Sequence, residues 1–228
     1  MRLLLISSSN VHGYVYLDHP ESAMRAFLGG ARRVAFVPFA AHDHDAYMTK
    51  VRERLARMDL DVIGIDDLDR ADAIFVGGGN TFRLLKTLYD RNLLTTIRDR
   101  VRAGLPYLGS SAGTVIAAPT MQTTNDMPIV EPPSFAALGL VDLQINPHYL
   151  DPDPHSTHRG ETREERIREY LEENDGPVIG LREGSILQVE NNVITLLGEK
   201  TARLFQRGAE PVEVQPGVIS VPSASSAD

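Results

Sequence analysis

A serine flanked by small residues is the strongest chemical signal in this sequence. Residues 109–113 read Gly-Ser-Ser-Ala-Gly, directly after the apolar run 105–108 and directly before the helix-like stretch 114–118. A serine at a strand-to-helix turn with small neighbours is typical of a nucleophile elbow, because the backbone bends sharply there and bulky neighbours would clash. We therefore predict that Ser111 is a nucleophile. The alternative is that Ser111 is an ordinary N-cap of the helix that follows.

A serine nucleophile needs a histidine base and an acid that orients the histidine. Among the seven histidines, His148 follows the strand-like segment 143–146 and a proline, so it should lie just past a strand end, where catalytic residues of open α/β sheets gather. Two acids compete for the third place: Asp126, in a long polar loop, and Glu183, at the turn after the strand-like segment 178–181. We predict Glu183, because a strand end gives it a fixed backbone. Asp126 is better suited to bind a free substrate ammonium.

Three consecutive glycines at residues 77–79 form a second candidate element, between the strand-like run 73–76 and a helix start at Asn80. Such a turn can direct backbone N–H groups at a phosphate or at the oxyanion of acyl transfer. Phosphate is the weaker interpretation, because neither the Walker pattern nor G-x-G-x-x-G occurs here. The alternative is a tight turn where helix and strand approach closely.

A metal site could be drawn from His155, His158, Asp151 and Asp153. These residues lack helical spacing and a rigid frame, which is typical of a solvated loop. We predict no metal site.

The composition predicts one compact α/β domain over residues 1–222, with 223–228 as a flexible tail. The chain has 228 residues, of which 42% are apolar and 24% charged. Its net charge of −8 disfavours nucleic acid and anionic membranes as partners. The absence of cysteine rules out disulfides and a thiolate nucleophile, and is compatible with the reducing cytosol. The apolar N-terminal run is too short for a signal peptide, so we expect a first strand and a cytoplasmic protein.

The elements that must position these residues alternate between strands and helices. Continuously apolar runs, typical of strands buried on both faces, occur at residues 3–7, 33–39, 62–65, 73–76 and 107–108. Apolar residues at helical spacing lie between them, at 47–58 and 84–97. The order predicts a doubly wound, mainly parallel sheet with helices on both faces. A charged helix over 161–173 and a β-hairpin over 185–197 follow.

In its serine, histidine and glycine motifs the chain resembles the peptidase E family, the α-aspartyl dipeptidases. The similar blocks are residues 77–82, 111–113, 123–130, 144–148 and 160–164, and with their spacings they cover nearly the whole chain. The resemblance implies a class-I glutamine-amidotransferase-like fold. It also implies a serine peptidase that removes an N-terminal aspartate from Asp-X dipeptides without a cofactor.

The same resemblance implies roles for individual residues. Ser111 would be the nucleophile and His148 the base, while the acid would be either Asp126 or Glu183. One N–H group of the Gly78-Gly79 turn and the N–H of Ala112 would form the oxyanion hole. Arg163 would bind the aspartate carboxylate of the substrate, with Asn80 and Asp126 as further substrate-binding residues. On sequence alone, Arg163 is also compatible with a surface i,i+4 ion pair.

Two other functions fit parts of the pattern. A cyanophycinase resembles this family in its serine and glycine motifs but cuts a polymer of aspartate and arginine; the blocks at 125–128 and 146–148 favour peptidase E. A non-catalytic ligand-binding protein of the same fold would not need Ser111 and His148. The expected partner is a small peptide substrate, and the chain is also compatible with a homodimer.

Overall fold

Two β-sheets organise the chain. The computed structural model describes residues 1–152, 155, 157 and 160–221. The tail expected at 223–228 lies outside the described residues, as do Asp153 and His158 of the metal site considered above.

The strands are short, at three to five residues each. In chain order they are β1 (Arg2–Ile6), β2 (Arg33–Val37), β3 (Asp61–Gly64), β4 (Ala73–Val76), β5 (Tyr107–Ser110), β6 (Gln144–Pro147), β7 (Val178–Leu181), β8 (Ile186–Glu190), β9 (Val193–Leu197), β10 (Ala202–Phe205), β11 (Val212–Val214) and β12 (Gly217–Ile219).

The larger sheet has eight strands in the order β12-β9-β8-β1-β5-β4-β2-β3. The five strands from β1 to β3 in this order pair in parallel, which confirms the predicted mainly parallel sheet. Strands β8, β9 and β12 extend it with antiparallel pairs, and β8 and β9 form the predicted hairpin.

A second sheet of four strands, β11-β10-β7-β6, was not predicted. The strands that precede His148 and Glu183, β6 and β7, are parallel neighbours, with Pro147 opposite Leu181. They belong to this second sheet, however, and not to the larger one. The carboxyl ends of β6 and β7 therefore meet at one edge, which brings the residues after them together.

Helices cover both faces of the larger sheet, which confirms that part of the fold prediction. They are α1 (Glu21–Leu28), α2 (His44–Ala56), α3 (Thr81–Asp90), α4 (Leu93–Arg102), α5 (Ala112–Val115) and α6 (Arg163–Glu173), with a 3-10 turn at Ile65–Arg70. Successive side chains of a strand point to opposite faces. Leu4 of β1 therefore packs in the core with α1 and α2, and Leu5 in the core with α3 and α4. No helix in the described ranges is both long and apolar enough to cross a bilayer.

Candidate active site

Ser111 lies in a sharp turn between β5 and α5, as the elbow prediction requires. Its backbone has φ 51° and ψ −108°, a conformation that side-chain-bearing residues rarely adopt. The glycines on either side are needed for close approach. A Cβ on Gly113 would lie 2.1 Å from the carbonyl oxygen of Val76, and one on Gly109 would lie 2.6 Å from that of Gly113. The small residues therefore allow a tight bend that presents the serine at the sheet edge.

The Ser111 hydroxyl faces a histidine. Its Oγ lies 2.9 Å from Nε2 of His148, which directly follows β6. His148 also has a positive φ of 53°, and its backbone N–H donates to the Ser7 hydroxyl at 3.0 Å. Although Ser111 occupies the N-cap position of α5, its side chain makes no capping hydrogen bond. The alternative of an ordinary N-cap therefore does not describe this serine.

Of the two candidate acids, Glu183 is the one that contacts His148. Its Oε1 lies 2.8 Å from Nδ1 of the imidazole. A carboxylate can only accept, so Nδ1 carries the hydrogen and Nε2 is free to accept from the Ser111 hydroxyl. The side chains of His148 and Glu183 are 35% and 45% exposed, so solvent reaches this pair.

The turn that carries Glu183 is anchored by its neighbour Arg182. The guanidinium makes a bidentate ion pair with Asp151, with both N–O distances at 2.8 Å, and a further bond to Glu213 at 2.6 Å. The Arg182 bond is the largest effect that lowers the pKa of Asp151. Asp151, considered above as a metal ligand, is thus engaged in an ion pair. Planar bidentate pairs hold both partners in a fixed geometry, which restrains the backbone next to Glu183.

Asp126 lies at the N-terminus of α3. Its Oδ2 accepts from the N–H of Thr81 at 2.7 Å, from the Thr81 hydroxyl at 2.6 Å and from the Thr124 hydroxyl at 3.1 Å. Within the described ranges it makes no hydrogen bond to His148. Asn80 is the N-cap of α3 and accepts from the N–H of Arg83 at 3.0 Å. A carboxylate at a helix N-terminus is stabilised by unpaired N–H groups and by the helix dipole.

Arg163 is the first residue of α6, behind a capping box formed by Thr162 and Glu165. Burial and then the nearby charge of Arg166 lower the pKa of Arg163, and the negative charge of Asp126 opposes this shift. Arg163 and Asp126 are therefore within electrostatic reach of each other. The i,i+4 ion pair considered for Arg163 is not formed among the residues that the structure describes.

The glycine turn packs directly against the elbow. A Cβ on Gly78 would lie 3.1 Å from the Cβ of Ser111, and Gly79 has a φ of 137° that suits glycine. The amide of Gly78 interacts with the hydroxyl of Tyr47, whose pKa is raised chiefly by burial. Ala112 is the first residue of α5, so its N–H has no acceptor within the helix.

The glycine turn, Ser111 and His148 border an open cavity of about 400 Å³. It is lined by Ser8, Ser9, Asn10, Tyr16, Ala41, Tyr47, Lys50, Gly78, Gly79, Ser111 and His148. The cavity suits a small ligand, and Ser111 and His148 form part of its wall.

Known proteins match this chain over most of its length. The model of the family described as Peptidase family S51 matches residues 3–197. The chain belongs to this family. It is 58% identical over 224 residues to a Streptomyces coelicolor protein named "Peptidase E", with 95% of this chain and 92% of that protein covered. It is 47% identical over 224 residues to a Drosophila melanogaster protein named "Probable alpha-aspartyl dipeptidase", with 94% and 93% covered.

A solved structure supports the fold of this S51 member. A peptidase from an acI-B1 Actinobacterium superposes with a TM-score of 0.70 at 16% identity, covering 96% of each chain. The family resemblance and the class-I glutamine-amidotransferase-like fold predicted from the sequence are confirmed. The protein is a peptidase, and thus a hydrolase.

Sequence reasoning missed Ser7, a buried residue that links the parts of this S51 site. Its hydroxyl donates to the carbonyl oxygen of Leu181 at 2.8 Å and accepts from the N–H of His148. Ser7 thereby connects the end of β1 to the ends of β6 and β7. The sequence could have identified Ser7, because it directly follows a buried strand at the carboxyl edge of the sheet. His148 was identified from the same kind of position.

Proposed function

We propose that this peptidase hydrolyses Asp-X dipeptides through an acyl-enzyme intermediate, with Ser111 as nucleophile, His148 as base and Glu183 as the orienting acid. One observation carries the proposal: the continuous chain of contacts from Ser111 Oγ to His148 Nε2 at 2.9 Å and from His148 Nδ1 to Glu183 Oε1 at 2.8 Å. The names of the relatives support aspartyl dipeptides as the substrate class. The cysteine-free sequence supports the cytoplasm as the proposed location.

Acylation begins when Ser111 Oγ attacks the aspartyl carbonyl carbon and its proton moves to His148 Nε2. The carbonyl oxygen becomes an oxyanion, for which the N–H groups of Gly79 and Ala112 are the proposed donors, with Gly78 beside them. Glu183 holds the imidazole in the required tautomer and stabilises its protonated form. His148 then gives the proton to the leaving nitrogen, the C–N bond breaks, and the second residue departs as a free amino acid.

Deacylation repeats the same proton transfers with water. His148 Nε2 accepts a proton from water, whose oxygen attacks the ester carbon of the acyl-enzyme. The second oxyanion collapses, the bond to Ser111 Oγ breaks, and His148 returns the proton to the serine. Aspartate is released, and the enzyme is restored without a cofactor.

We assign the choice of aspartate to Asp126, at the N-terminus of α3, and to Arg163, at the N-terminus of α6. A free N-terminal aspartate carries an ammonium and a side-chain carboxylate close together, and Asp126 and Arg163 offer the opposite charges within reach of each other. Asn80, which caps α3 next to the glycine turn, would complete this group. Charge-assisted bonds in a partly buried site are strong enough to separate an acid from its neutral isostere.

Removing the Arg163 charge should lower the preference for aspartate. For Arg163→Met, which keeps part of the aliphatic stem, we expect kcat/KM for Asp-Leu to fall about 100-fold, the size of a lost charge-assisted bond. Hydrolysis of Asn-Leu should change little, so the ratio of the two substrates is the measurement. Arg166→Met is the control, since Arg166 lies on the same helix, is exposed and pairs with Glu161 at 3.4 Å. An unchanged ratio in Arg163→Met would assign the carboxylate to another cation.

A panel of substrates tests the function itself. Purified protein should cut Asp-Leu and other Asp-X dipeptides. Asn-Leu and Glu-Leu should be cut far more slowly, and a polymer of aspartate and arginine should remain intact, with product amines measured by mass spectrometry. Cleavage of the polymer would favour a cyanophycinase instead. Cleavage of Glu-Leu at the same rate would contradict the proposed aspartate site.

A further inference from the structure

One wall of the cavity takes no part in the mechanism proposed above. It is formed by the loop after β1 and by α2, and it carries a cation, Lys50. Lys50 Nζ lies 4.0 Å from the centroid of the Tyr16 ring. A cation at this distance over an aromatic face is attracted by the ring, which restricts the direction of an otherwise flexible side chain.

The backbone that supports Tyr16 is fixed to the same helix. Arg54, one turn after Lys50 on α2, donates to the carbonyl oxygens of Tyr16 at 2.9 Å and of Leu17 at 2.8 Å. Arg54 is buried, and it also pairs with Glu21 at 2.6 Å. The loop and the helix are thus joined, so the Tyr16 ring has a fixed position beneath the Lys50 ammonium.

The ammonium group of Lys50 is available to bind an anion. In the part of the chain that the structure describes, Lys50 forms no salt bridge, whereas Lys86 pairs with Asp90 at 2.6 Å. The cavity residues around Lys50 include no acid, and Lys50 is the one lysine or arginine among the residues that line it. Stacking on a ring leaves the three N–H donors of an ammonium free for an anion.

The two ends of the bound dipeptide carry different charged groups, which need different binding residues. Asp126 and Arg163 are not among the residues that line the cavity. If they hold the aspartyl residue, as proposed above, the second residue is left to occupy the cavity that Ser111 and Lys50 share. That residue carries the terminal carboxylate of the dipeptide. We propose that Lys50 binds this terminal carboxylate and so limits the substrate to dipeptides. In a longer peptide a neutral amide would take the place of the anion beside Lys50. This inference rests on the proposed function.

The test compares a free carboxylate with a neutral end. We expect the wild-type protein to cut Asp-Leu with a kcat/KM about 10- to 100-fold above that for Asp-Leu amide, the effect of one charge-assisted bond. Lys50→Met should remove most of this preference, and Lys50→Arg, which keeps the charge, should retain it. Lys86→Met is the control and should leave the ratio at its wild-type value. Thermal melting checks that each variant is folded.

The outcomes separate the inference from the proposed function. Equal hydrolysis of the acid and the amide by the wild type would overturn the role of Lys50 even if Lys50→Met did not fold, and would leave the proposed function intact. An equal loss on both substrates in Lys50→Met would also overturn it. If the wild type cuts neither substrate, the proposed function fails, and the inference fails with it.

Discussion

Replacing Ser111 with alanine should lower kcat/KM for Asp-Leu by about 10⁴-fold or more, the scale of nucleophile losses in serine hydrolases. Without Oγ no acyl-enzyme can form, and only the backbone N–H groups and substrate binding remain to favour attack by water. Steady-state hydrolysis of Asp-Leu measures the loss, and rapid mixing should show no burst of product. Near-normal turnover by this variant would remove Ser111 from the mechanism.

Ser110→Ala is the matched control for this prediction. Ser110 precedes Ser111 in the chain and is fully buried, and its hydroxyl oxygen has no hydrogen-bond partner among the residues that the structure describes. Removing an unsatisfied buried hydroxyl leaves no partner unpaired, so it should cost little stability. We expect Ser110→Ala to retain activity. Loss of activity in both variants would point to damage to the elbow backbone rather than to a missing nucleophile.

The parallel core of the fold could be predicted because its strands are buried on both faces. Such strands are continuously apolar, and this local pattern gave the limits of Ala73–Val76 as the structure has them. Helix positions followed from apolar spacing, although the pattern over 84–97 divides into α3 and α4. It divides at Asn92, which has a positive φ of 54°.

The second sheet could not be predicted, because strand pairing is a long-range property. The local sequences of β6 and β7 do not indicate which sheet these strands join. Strand β11 is three residues long and largely exposed, with Glu213 at its centre, so it lacks the apolar signal of a core strand. Its pairing with β10 places Glu213 where Arg182 bonds to it.

Some residues of the proposed site could also be predicted from local sequence patterns, whereas others depend on contacts between distant parts of the chain. Ser111, His148 and Glu183 were singled out because each follows a predicted strand, where a sheet edge gathers residues. Lys50 lies on an amphipathic helix and is indistinguishable in sequence from a solvated lysine. Its position over Tyr16 depends on how α2 packs against the loop after β1. Asp126 was an acid in a polar loop, and its bonds to Thr81 join residues 45 positions apart in the chain.

The second large effect distinguishes Glu183 from Asp126. For Glu183→Gln we expect kcat for Asp-Leu to fall by about 10² to 10⁴-fold, with KM little changed, because an amide can hold the imidazole in the wrong tautomer and does not stabilise its protonated form. The lower part of this range applies if water, which reaches the 45% exposed Glu183 side chain, partly replaces the carboxylate. Steady-state kinetics with separate kcat and KM values measure the effect.

Asp126→Asn is the matched variant, and it should act on binding. The asparagine oxygen can still accept from the N–H and hydroxyl of Thr81, so the N-terminus of α3 should remain intact. The substitution removes the negative charge of Asp126, which is proposed to bind the substrate ammonium. We therefore expect a higher KM with kcat largely retained. If Asp126→Asn abolishes kcat while Glu183→Gln does not, Asp126 is the triad acid. The 2.8 Å contact between Glu183 and His148 would then have to rearrange when substrate binds. The two variants therefore decide which carboxylate orients the base and which one recognises the free amino terminus.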